Sequence, residues 1–370
     1  MQIQGKVVED MLQNFTVRWM KSARHHENLL LHLPEEDLDY KSSEEEQWNV
    51  QYFRSINSDS VMFDHNALEH VKSRKGRNYD DSIQQAYVHH IRRSKRFIYI
   101  ENQYFMGSSH SWKVPTLKCS NLVPIEITMR IKQAIMKKED FRVYVVLPLH
   151  PEGDPASTPV QEMLHWQYRT IQMMYKKIGH VIQKNKVNAH PTDYLSFFCL
   201  GQCEDALSHN LPMNAGSNKA KNTMRMMVYV HSKMAIFDDE YIIVGSANLN
   251  ERSLNGNRDT EMACGAYQPN LMADGDVKLF RMALWAEHCG APQHFNAADV
   301  SCMKNLRKIG EENLSKYAKA IPMDSHLMIY PFLIYGDGSL TDYPDFECFP
   351  GTGGNVKGKD SIVLPNSLTM

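Results

Sequence analysis

Residues 228–248 constrain the chain more than any other stretch. Val228, Val230, Met234, Ile236, Ile242 and Val244 are apolar, and Asp238-Asp239-Glu240 divides them into two runs. Short apolar runs joined by a tight acidic turn predict a hairpin of buried strands. Polar groups are set into this pattern: His231 and Lys233 in the first arm, then Gly245-Ser246-Ala247-Asn248 at the end of the second. Side chains alternate along a strand, so His231 and Lys233 fall on one face. An imidazole beside an ammonium makes a poor core but a good anion site. The lysine supplies a point charge for phosphate oxygens, and a neutral histidine can attack phosphorus or move a proton. Asp238 lies an odd number of residues from Lys233, so its side chain faces the other way and serves to hold the turn. A lone His-x-Lys pair is an ordinary solvated face; the coincidence of three ionisable positions, a Gly-Ser pair and an asparagine between apolar strands argues for a site.

Composition sets outer bounds. A chain of 370 residues accommodates one large domain or two modest ones. Its 42% hydrophobic and 23% charged residues are ordinary for a globular protein. A net charge of −2 gives no global attraction to nucleic acid or anionic lipid. Any such attraction must be local, and the clusters Arg92-Arg93-Ser94-Lys95-Arg96 and Lys72–Arg77 are the candidates. No run reaches the roughly 18–20 apolar residues of a membrane span, and Met1–Lys6 has no secretory pattern. The seven cysteines form no Cys-x-x-Cys pair and leave one over, which favours reduced thiols and a cytosolic setting.

Helical and strand patterns alternate along the chain. Val7 to about Trp19 reads as an amphipathic helix and Trp48–Ser55 as a strand. Ser82 and Gln85 match a capping box, followed by Ile83, Tyr87 and Ile91 at helical spacing. Strands are expected at Phe97–Glu101, Arg142–Leu147 and Tyr194–Leu200, and helices at Ile125–Met136, Thr158–Ile178 and Val277–Glu287, the second opened by Pro159. Residues 210–222 read as a loop, and the tail from about Ile321 as irregular but packed. This alternation predicts an α/β layered fold.

The 231–248 segment resembles the HKD signature of the phospholipase D superfamily, phosphodiesterases that work through a phosphohistidine intermediate. Ile98–Phe105, the run Ser82–Val88, Pro151-Glu152-Gly153-Asp154-Pro155 and Asn257–Glu261 are similar to plant-type phospholipase D, and the resemblance extends from about Gly5 to the C-terminus. Leu149-His150 departs from the Met-Trp more usual before Pro-Glu-Gly. Enzymes of this family carry two motifs, one in each half, and one is found here. His70-Val71-Lys72 is a decoy, with Arg77 where the aspartate is needed. The calcium-dependent C2-type domain of the plant enzymes has no counterpart, and Gly5–Trp19 resembles the segment just after the first motif. The resemblance therefore implies the C-terminal half of the enzyme. The expected fold is a layered α-β-α sandwich, one half of a pseudo-twofold core: residues 1–60 a linker from the preceding half, 61–320 the catalytic half, and 321–370 a tail packed on it.

The same resemblance implies roles. His231, Lys233 and Asp238 are the motif's catalytic residues. His231, in the second motif, is the general acid and base, while the other motif's histidine attacks phosphorus. Gln103 contacts substrate phosphate, Ser246 and Asn248 hydrogen-bond in the phosphate pocket, Glu261 orients the motif histidine, and Glu287 takes part in calcium binding. The implied activity is hydrolysis of phosphatidylcholine and related glycerophospholipids to phosphatidic acid and free headgroup, by a cytoplasmic, peripherally membrane-associated protein. A homodimer or a partner would supply the first motif. The alternatives are a catalytically incomplete phospholipid-binding protein, or a single-motif homodimer acting on nucleic acid. The near-neutral charge and the lipase-like flanks argue against a nucleic-acid partner.

Overall fold

The computed structural model describes residues 2–31, 47–62, 78–112, 119–204, 224–290, 296–346, 348–350 and 352–361. The strands are β1 (Asn49–Asn57), β2 (Tyr79–Asp81), β3 (Phe97–Glu101), β4 (Arg142–Val146), β5 (Leu195–Cys203), β6 (Arg225–Val228), β7 (Met234–Phe237), β8 (Tyr241–Gly245), β9 (Glu261–Tyr267), β10 (Leu327–Ile329), β11 (Phe332–Ile334) and β12 (Leu340–Asp342). The helices are α1 (Val7–Ser22), α2 (Ser82–Arg93), α3 (Val123–Lys137), α4 (Thr158–Lys184), α5 (Glu251–Leu254), α6 (Asp276–Cys289) and α7 (Val300–Ala318).

One sheet runs in the order β10-β5-β4-β3-β7-β8-β9-β1-β2. Its centre, β3, β4 and β5, is parallel, and every other pairing is antiparallel. β6 pairs with Leu200–Cys203 of β5, beyond the stretch that β4 covers. The central strands are apolar throughout because both faces are covered. On one face, Tyr87 of α2 meets Phe237 and Tyr175 of α4 meets Phe197. On the other, Trp285 of α6 packs edge-on against Tyr99 and Tyr144, at 5.5 and 5.0 Å between ring centroids. The result is the α-β-α layering expected from the sequence. Ile98, Ile100, Val143, Val145 and Leu195 are fully buried, each contributing roughly 1.5–3 kcal/mol by removal from water.

Three expectations are corrected. The segment before residue 60 is not only a linker: β1 enters the main sheet between β9 and β2. The tail from Ile321 is not wholly irregular, since β10 adds an antiparallel edge beside β5 and β11 pairs with β12. Ser82 is no cap; it lies inside α2, and its hydroxyl bonds the backbone of Arg54 in β1. β9 and α7 were not anticipated. Among the described cysteines none is bridged, and six of the seven are buried, consistent with the reduced thiols expected. The Lys72–Arg77 cluster, the His70 decoy and the 210–222 loop lie outside the described residues.

Candidate active site

The turn of the expected hairpin explains its two aspartates. Asp238 and Asp239 both have positive φ, 59° and 61°, and Glu240 N bonds Phe237 O at 3.0 Å. This matches a type I′ turn, which Asp tolerates better than most residues. The Asp238 carboxylate accepts the backbone N–H groups of Lys95, Arg96 and Phe97 at 2.7, 2.7 and 2.8 Å, anchoring the start of β3. Asp239 makes a two-pronged bond to Arg281 of α6, at 2.6 and 2.8 Å, with both side chains buried. The structure thus places Asp238 at the far end of β7 from His231, about 16 Å of extended chain from Lys233, and does not bring it into the site.

His231 and Lys233 lie at the opposite end, toward the carboxyl ends of β3, β4 and β5. In open α/β sheets this edge is where ligands bind. Regular β7 pairing begins at Met234, one residue later than a strand through the whole motif would give, but Gly245 N still bonds Lys233 O at 3.0 Å, so the approach is extended. Ser232 points to the other side and bonds Glu101 Oε2 at 2.6 Å. That leaves His231 and Lys233 sharing the open side. His231 is exposed, its ring 6.1 Å from that of Tyr229.

Lys233 is held by its head. Its ammonium donates to Gln103 Oε1 at 2.9 Å and to the carbonyl of His231 at 2.6 Å. The other end of the Gln103 amide donates to the Tyr229 hydroxyl at 2.8 Å, and that hydroxyl also accepts from Glu152 N at 3.2 Å. Gln103, expected to contact phosphate, is buried and positions the lysine. Burial pulls the Lys233 pKa below its ordinary value, while the nearby charge of Glu261 opposes this.

Glu261 accepts from Ser246 through one carboxylate oxygen and from Ser253 through the other. Among the described residues no hydrogen bond joins it to His231, so it sets the Gly-Ser turn beside Lys233. Gly245 is required at that turn: a Cβ there would lie 2.4 Å from Met262 O and 2.7 Å from Ala263 Cα. Ser246 is exposed and Asn248 partly so, with the Asn248 Oδ1 buried and unpartnered. The preceding loop is fixed by Arg252, paired to Asp259 at 2.9 Å, and by Asn250, which caps α5. Glu287 stands exposed on α6, and among the described residues no three acidic, histidine or cysteine side chains gather as metal ligands. Calcium takes six to eight oxygens, and among the described residues Glu287 is not joined by further acidic side chains.

The sequence reading assigned no role to Glu101, Ser232, His288 or Tyr229. Glu101 is buried behind the motif, where it accepts from Ser232, from Tyr99 and, at 2.8 Å, from His288 Nε2 of α6. Burial alone would raise its pKa; the hydrogen bonds from His288, Ser232 and Tyr99 and the charge of His288 together hold it below the ordinary value. A carboxylate ending the apolar strand Phe97–Glu101 was the available signal, because buried charge requires partners.

A family model described as phospholipase D matches residues 1–358. The chain is 44% identical over 350 residues to phospholipase D delta of Arabidopsis thaliana, covering 89% of this chain and 40% of that protein. It is 40% identical over 401 residues to phospholipase D alpha 1 of Zea mays, covering 99% and 49%. The chain thus spans about half the length of the curated relatives it matches.

Proposed function

Because the chain belongs to the phospholipase D family, we propose that it forms one half of a glycerophospholipid phosphodiesterase site, releasing phosphatidic acid and free headgroup. The observation that carries this is the shared open edge of His231 and Lys233, with the ammonium pinned by Gln103 at 2.9 Å. Lys233 meets the non-bridging phosphate oxygens and stabilises charge developing on them. His231, solvent-facing, protonates the departing alcohol oxygen and then takes a proton from the attacking water. Ser246 borders the same edge, its hydroxyl donating to Glu261 and accepting from Met262 N, so that it holds the Gly-Ser turn beside Lys233.

Attack on phosphorus and protonation of the leaving oxygen occur on opposite sides of an in-line displacement, so one imidazole cannot do both. The second comes from a companion half carrying its own motif, or from a second copy of this chain meeting it across the His231 edge. The phospholipid is met at a membrane surface by peripheral association.

The test is choline release from phosphatidylcholine micelles by the purified chain beside His231→Ala, with mass read by light scattering. Release by a dimer that vanishes in His231→Ala supports two half-sites assembling between chains. Release equal in both proteins overturns the assignment of His231. No release above the variant by the chain alone, but release on adding a motif-bearing companion half, places the second imidazole in that companion.

A further inference from the structure

Away from the catalytic edge, the outer surface of α3 and α4 carries a concentration of positive charge that the site does not use. Two adjoining open depressions of about 590 and 620 Å³ lie between these helices, and Lys132 and His180 line both. Arg169, Lys176, Lys177 and Lys184 of α4 line one or the other. Their spacing puts them on one stripe of the helix. The acidic residue of α4, Glu162, is buried and lies upstream of the stripe. Among the described lining residues the carboxylate is Glu126, already clamped by Arg92 at 2.7 Å. Asp337 stands near Lys176 on the flank. In a chain of net charge −2, this face is a local excess, not a reflection of overall charge.

The second observation is apolar. Met129 and Met136 of α3 line the first depression and are 50% and 59% exposed. Cations around protruding flexible apolar side chains match an anionic bilayer, whose phosphates meet the ammonium groups while the thioethers enter the acyl boundary. An acidic protein or a free polyanion would give the methionines nothing. We propose that the α3–α4 face is a docking surface for anionic phospholipid. This deepens the membrane association proposed above and rests on it. The stripe begins at Arg169, about 16 Å along α4 from the helix end nearest the catalytic edge, so it is separate from the His231 site.

The test is co-sedimentation of the full chain with vesicles of phosphatidylcholine alone and of phosphatidylcholine mixed with phosphatidylserine. Three proteins are compared: wild type, the groove variant Lys132→Gln/Lys176→Gln/Lys177→Gln, and a charge-matched control, Lys304→Gln/Lys308→Gln/Lys319→Gln. Thermal unfolding establishes that each is folded. Each cation removed from an anionic surface costs roughly fivefold in partitioning, so the groove variant is expected to lose about a hundredfold on mixed vesicles. The control and His231→Ala are expected to bind as wild type does, and added salt to weaken all binding. Equal binding by the groove variant and wild type, equal losses in variant and control, or no preference of wild type for the anionic vesicles would overturn the proposal. Docking without headgroup release even when a motif-bearing companion half is added leaves the groove standing and counts against the catalytic reading; release with groove-independent docking does the reverse.

Discussion

Removing the Asp238 carboxylate should damage folding without touching chemistry, although Asp238 is the third residue of the motif. Its oxygens hold three backbone N–H groups, of which that of Phe97 is fully buried and those of Lys95 and Arg96 are partly so. In Asp238→Ala the Phe97 donor is stranded, a cost of about 2–3 kcal/mol, while the other two turn to water at about half a kilocalorie each, roughly 1 kcal/mol together. Alanine at the positive φ of 59° adds about 1 kcal/mol. The sum is about 4–5 kcal/mol. Asp238→Asn tolerates the turn, and its Oδ1 can keep Arg96 and Phe97. Its amide nitrogen then opposes the Lys95 donor, so the loss is about 1–2 kcal/mol. Urea unfolding followed by tryptophan fluorescence gives both numbers, and calorimetric titration with inorganic phosphate gives anion affinity in the folded variants. The expected order is wild type, then Asn, then Ala in stability, with phosphate affinity of the Asn variant unchanged. Wild-type stability combined with lost phosphate binding in Asp238→Asn would refute the reasoning, because it would put the carboxylate in the site.

Asp239→Asn leaves Arg281 buried without its charge partner and should cost about 3–5 kcal/mol in urea unfolding; a loss below 1 kcal/mol would mean that water reaches the pair. The depressed pKa of Lys233 places loss of its charge below the ordinary 10.5. Phosphate affinity should therefore fall as pH rises through that lower value, and Lys233→Arg, which stays charged, should flatten the alkaline limb in a calorimetric pH series. Glu101 is shifted down on folding, so it stabilises the fold above its unfolded pKa, and that contribution is lost as pH falls through the lower folded value. Glu101→Gln should cost about 2 kcal/mol at neutral pH and remove this part of the acid sensitivity, read from thermal unfolding between neutral and acidic buffers.

Much of the local structure was written in short-range pattern. The uninterrupted apolar runs 97–100 and 143–147 read as strands, the second as a buried one, and Pro159 marked the start of α4. The spacing of His231 and Lys233 put them on one side, because extended chain alternates whatever surrounds it. Positive φ at Asp238 and Asp239 follows from residue types that accept it. What the sequence could not supply was which strand lies beside which. β9 sits between β8 and β1, and β10 returns from the tail to pair with β5, because a strand's hydrogen-bonding edges carry no address of their own. For the same reason Ser82 reads as a cap from its neighbours but bonds β1, 28 residues away. The site shows the same division. The chemistry of His231 and Lys233 is legible in their residue types, whereas their orientation depends on Gln103, 130 residues distant, and on Glu101, which reaches Ser232 across 131 residues and His288 across 187. Those contacts exist only once the sheet has closed and burial has left the carboxylate and the ammonium no water to turn to.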